Sequence, residues 1–170
     1  KGGYLVLRDW SHLDFTGVPF LKPPPCYELT ITRALETDFT ILGFATVRHA
    51  LDQWRSLSGL NIMQGVLEAN QFLLGYRRFA ECAAEVGFIR YEDFIAEPDQ
   101  NLQQICAALF LPFDATYVER WASHKRFTGD TSSRTKIGPL PDRRVDQVLR
   151  ESFRANPDYM AAMALLGYEP

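Results

Sequence analysis

Apolar residues follow two rhythms along this chain, and the change from one to the other predicts its elements. Short uninterrupted runs suit strands buried on both faces: Tyr4-Leu5-Val6-Leu7, residues 41–47, and Phe88-Ile89-Arg90-Tyr91. Elsewhere the apolar spacing is three and four. Residues 30–35 and 50–60 each predict a helix. From Gln64 to Glu85, the positions Val66, Ala69, Leu73, Tyr76, Ala80 and Ala83 line one face of a long amphipathic helix that Gly87 ends. Pro98 opens another helix, with Leu102, Ile105, Cys106 and Leu109 behind it. Leu111-Pro112-Phe113-Asp114 breaks that helix, and Asp114 suits the cap of a short one through Trp121. Two further helices are expected over residues 145–153 and from Asn156-Pro157 onward. Prolines 19 and 23–25 predict an extended surface loop over residues 17–27, and residues 127–141 read as a second loop.

Strands alternating with helices, with few hairpin signals, predict an α/β fold: a parallel sheet covered by helices on both sides. The 170 residues, 46% of them hydrophobic, are enough for one domain spanning 1–170. A net charge of -3 gives no basis for a general nucleic-acid or anionic-membrane binder, so an anionic ligand needs a local basic cluster. Cys26, Cys82 and Cys106 lack zinc spacing and read as buried thiols in a reducing compartment, which fits a cytoplasmic location. No run reaches the roughly 18 apolar residues of a membrane span. The sequence starts at Lys1 and meets its first predicted strand at once, so a preceding amino-terminal portion is expected, and a signal peptide stays open.

Candidate chemistry collects at three predicted strand ends: Arg8 to His12, Arg48 to Ser56, and Tyr91 to Asp93. Parallel strands joined by right-handed crossovers bring such ends to one edge. The central one is Phe44-Ala45-Thr46-Val47-Arg48, where strand gives way to helix. A helix start offers unpaired N–H groups and a favourable dipole for an anion, Arg48 adds a charged fork, and Ser56 adds a hydroxyl. On the residues alone, a surface arginine and a solvated serine are the more ordinary reading. His12 reads from the residues as a loop histidine bonded to Asp9 or Asp14. Trp10, Phe15 and Trp54 suit either a base-stacking role or the core.

The stretch Val47-Arg48-His49-Ala50-Leu51-Asp52-Gln53-Trp54-Arg55-Ser56-Leu57 resembles the 3'-phosphate-binding segment of sulfotransferases that use 3'-phosphoadenosine 5'-phosphosulfate (PAPS). There, an arginine at a strand end is followed eight residues later by a serine. Ile89-Arg90-Tyr91-Glu92-Asp93-Phe94-Ile95-Ala96-Glu97-Pro98, with Leu109-Phe110-Leu111-Pro112-Phe113, is similar to the same family's carboxyl-terminal signature. Together the two cover roughly residues 44 to 114.

The resemblance implies a P-loop nucleotide-kinase-like sulfotransferase fold, incomplete at its amino end, and an enzyme that transfers a sulfuryl group. Arg48 and Ser56 would hold the 3'-phosphate of PAPS, the co-substrate. His12, four residues after Arg8, stands where the family has its catalytic histidine, and Arg8 would stabilise charge building on the leaving phosphate. His49 receives no role. Ser133, Arg134 and Lys136 fall where a late basic loop closes on the nucleotide, although this loop departs from the family's familiar motif. The acceptor implied is a hydroxyl or amine of a small molecule or glycan, with no metal and no nucleic acid. The family's 5'-phosphosulfate loop has no counterpart in residues 1–170, which contain no G-x-x-x-x-G-K-S/T pattern or shortened relative. Two other classes therefore stand beside the enzyme: a non-catalytic sulfotransferase-like binding domain, and a P-loop kinase relative.

Overall fold

The computed structural model describes residues 5–9, 11–17, 25–60, 63, 66–123 and 146–170. Two short parallel strands, β1 (Ala45–Val47) and β2 (Phe88–Arg90), pair in the register Ala45 to Phe88, Thr46 to Ile89 and Val47 to Arg90. Between them in sequence run α3 (Ala50–Ser58) and α4 (Ala69–Val86). Two helices precede β1, namely α1 (His12–Thr16) and α2 (Thr30–Leu35). After β2 come α5 (Tyr91–Ala96), α6 (Pro98–Ala108), α7 (Tyr117–Ser123), α8 (Gln147–Arg154) and α9 (Pro157–Leu166). The fold is mixed helix and parallel strand, as the pattern predicts, with a sheet of two strands among the described residues.

Packing centres on α4. Its face of Phe72, Leu73, Tyr76, Ala80 and Ala83 is buried, and α9 lays Tyr159, Ala162, Met163 and Leu166 into the same core. Trp54 from α3 leans on Phe72 at 5.3 Å between ring centroids, and Phe153 from α8 meets Tyr159 at 5.6 Å. Each fully buried Leu, Phe or Met of this core contributes about 1.5–3 kcal/mol relative to leaving it in water. An ion pair between Arg77 and Asp158 at 3.1 Å fixes the register of α4 against α9. Asn156 caps α9 by accepting from the N–H groups of Asp158 and Tyr159, as expected for Asn-Pro at a helix start. Gly87 ends α4 with φ +88° and ψ 148°, a conformation open essentially to glycine.

Several expectations are corrected. Leu5, Val6 and Leu7 form no strand and are 70%, 68% and 52% exposed, because among the described residues no neighbouring strand takes their backbone groups. The run over 41–47 is regular only from Ala45, and Ile41 and Leu42 remain exposed. The long helix starts at Ala69, leaving Val66 outside it. Tyr91, expected to end a strand, starts α5 instead. There Asn101 donates from Nδ2 to the carbonyls of Asp93 and Glu97 at 3.0 and 2.8 Å, joining α5 to α6. The thiols are not uniformly buried, since Cys26 is exposed and Cys82 and Cys106 are half-buried. Trp10 and the loop over 127–141 lie outside the described residues.

One close approach matters for the site. α1 crosses α4 at Gly75, where a Cβ would stand 2.0 Å from the backbone oxygen of Phe15. Replacing a helical glycine by alanine ordinarily gains about 1 kcal/mol. Here the clash reverses the sign. Gly75→Ala is expected to destabilise the protein by about 1–3 kcal/mol, read as a lower urea midpoint, because backbone rather than a flexible side chain must move.

Candidate functional site

α1 was hidden in the sequence as a polar and aromatic stretch, and it is the element that presents His12. Three contacts hold it. Phe15 is buried against Phe79 edge-to-face at 5.7 Å, and Gly75 admits its backbone. Asp14, also buried, accepts from the Thr30 N–H at 3.0 Å and from the Thr30 hydroxyl at 2.9 Å, so its carboxylate caps the first turn of α2. The Cys26 thiol faces the same carboxylate. Asp14 is therefore spent on the fold, and His12 is not its partner.

His12 rests instead on Gln53, 41 positions later. The Gln53 amide nitrogen lies 3.1 Å from both Nδ1 and Nε2 of the ring. A group equidistant from the two nitrogens lies along neither lone pair, so neither is committed to Gln53. Burial lowers the His12 pKa from its ordinary 6.5, and the positive charge of Arg8 lowers it further. The imidazole is thus kept neutral and proton-accepting below the pH at which a free histidine would charge. Arg8 itself is exposed.

Gln53 belongs to the Arg48 to Ser56 segment. It stands one helical turn before Ser56, and residues three apart share a helix face. Ser56 is exposed on α3. Arg48 leaves β1 half-buried, with its guanidinium carbon 5.4 Å from the centre of the Tyr91 ring. Its Nε is buried and makes no hydrogen bond among the described residues. A buried, unpaired guanidinium donor costs free energy unless something accepts from it.

The helix start itself differs from expectation. Two of the N–H groups at the turn into α3 are used internally. The His49 side chain accepts from Leu51 N–H at 3.3 Å, and the Glu92 carboxylate accepts from His49 N–H at 3.2 Å. His49 is accordingly the N-cap of α3. Its Nε2 faces the Glu169 carbonyl at 3.2 Å, which suits the tautomer with the proton on Nε2.

Of the other predicted residues, Ser133, Arg134 and Lys136 lie outside the described residues. Phe15 and Trp54 belong to the core. A shallow concavity lined by Glu97, Pro98, Asp99, Gln100 and Gln103 shares no residue with the candidate site. Among the described residues, no group of three or more His, Cys, Asp or Glu could hold a metal ion, and no helix is long and apolar enough to cross a membrane. Comparison with protein-family models, curated proteins and solved structures finds no match.

Proposed function

We propose that this chain is part of a PAPS-dependent sulfotransferase of P-loop nucleotide-kinase-like fold, with Arg48 and Ser56 binding the 3'-phosphate and His12 as the base. The observation that carries this reading is the seating of His12 on Gln53, inside the segment that resembles the 3'-phosphate site. The orphaned Nε of Arg48 supports it independently, since a phosphate oxygen would supply the missing acceptor.

In the proposed reaction an acceptor hydroxyl or amine loses its proton to His12 as it attacks sulfur in line. The bond from sulfur to the 5'-phosphate oxygen breaks, and its electron pair leaves with adenosine 3',5'-bisphosphate. Arg8 stabilises the negative charge growing on that leaving group. Ser133, Arg134 and Lys136 are proposed to close over the nucleotide. The acceptor is a small molecule or glycan, and the chemistry requires no metal.

Titration of the protein with adenosine 3',5'-bisphosphate and with ATP tests the reading. The bisphosphate is expected to bind at least tenfold more tightly, a difference of about 1.4 kcal/mol. Equal affinity, or preference for ATP, would instead point to a kinase relative.

A further inference from the structure

One peptide group at the site is held from both sides. The carbonyl of Arg48 accepts a hydrogen bond from the Tyr76 hydroxyl, which comes from the buried face of α4. The N–H of the same peptide bond, that of His49, donates to Oε1 of Glu92 from α5. A peptide unit is planar, so holding its oxygen and its hydrogen from opposite sides restrains its orientation and with it the direction in which Arg48 leaves the strand. Glu92 is in turn fixed, since its Oε2 accepts from the Tyr168 hydroxyl at 2.6 Å. Tyr168 is anchored by the Arg90 guanidinium, which lies 5.4 Å from its ring centre and donates to the Gly167 carbonyl at 2.7 Å.

We infer that Tyr76 and Glu92 are positioning residues for Arg48, together setting how well its guanidinium recognises a 3'-phosphate. The inference rests on the function proposed above. Neither side chain need touch the nucleotide. Tyr76 remains a donor at any ordinary pH, because burial pushes its phenol well above the usual range. Glu92 brings a negative charge to the start of α3, where it would repel a phosphate placed against the helix end.

The test separates positioning from general weakening by comparing adenosine 3',5'-bisphosphate with adenosine 5'-phosphate in each variant. Glu92→Ala and Tyr76→Phe are each expected to cut the preference for the bisphosphate about tenfold while changing adenosine 5'-phosphate affinity little. Glu92→Gln should retain the preference, since its amide oxygen still accepts from His49 N–H and its NH₂ can donate to the Tyr168 oxygen. In an Arg48→Ala background neither substitution should reduce the preference further. Parallel loss of affinity for both nucleotides, or a full preference in Tyr76→Phe and Glu92→Ala, would overturn the positioning role. A wild-type protein with no preference at all would overturn the functional reading beneath it.

Discussion

His12→Ala is expected to lower kcat by about 10²–10⁴-fold, the range that a positioned general base contributes, while leaving adenosine 3',5'-bisphosphate affinity within about threefold. The two effects separate because His12 contacts the segment through Gln53 and makes no described contact with Arg48. The pH profile carries a second part of the same prediction. The base must be neutral to accept a proton, and burial followed by the Arg8 charge lowers its pKa from 6.5. Activity should therefore persist as pH falls through 6.5 and be lost only below it. Arg8→Gln removes the second of the two causes, so the acidic limb should move up toward 6.5 without reaching it, since burial remains. A limb above 6.5 in the wild type would contradict His12 as the titrating base. A variant lacking His12 that turns over at the wild-type rate would remove it from the mechanism.

Arg48→Ala is expected to weaken adenosine 3',5'-bisphosphate binding by about 2–3 kcal/mol, roughly 30- to 150-fold, as for other charge-assisted hydrogen bonds to an ionised group. Stability should change much less. The described interaction of the guanidinium is with the Tyr91 ring, worth about 0.5–1 kcal/mol, and removing the side chain also removes its buried unpaired Nε. Calorimetric titration beside a thermal melt measures both quantities on one sample. Arg48→Lys should recover only part of the affinity, because a lysine keeps the charge and loses the fork that meets two phosphate oxygens. Tight binding by Arg48→Ala would place the phosphate elsewhere.

Much of this arrangement was written locally and could be read. The strand-to-helix change at Arg48 follows from four apolar or β-branched residues meeting a helix former, and α4 and α9 follow from three-and-four spacing with Gly87 and Asn156-Pro157 as punctuation. What escaped were features set by distant partners. α1 is a single turn, too short for periodicity to register, and it is held by Asp14 on Thr30 and by the space that Gly75 leaves. Leu5-Val6-Leu7 carry a strand's composition, yet a strand also needs a neighbour to pair with. The same holds at the site. Arg48 was legible as a charge at a strand end, whereas the pinning of its peptide by Tyr76 and Glu92 depends on residues 28 and 44 positions away. Two N–H groups at the helix end that sequence offered to an anion go to His49 and Glu92, and Glu92 lies 43 positions from His49.

The central claim is that Arg48 holds a 3'-phosphate, and calorimetry on wild type and Arg48→Ala with two nucleotides tests it most directly. The wild type should bind adenosine 3',5'-bisphosphate at least tenfold more tightly than adenosine 5'-phosphate, and Arg48→Ala should bind the two alike. A preference for the 3'-phosphate that survives the loss of Arg48, or a wild type that shows none, would contradict it.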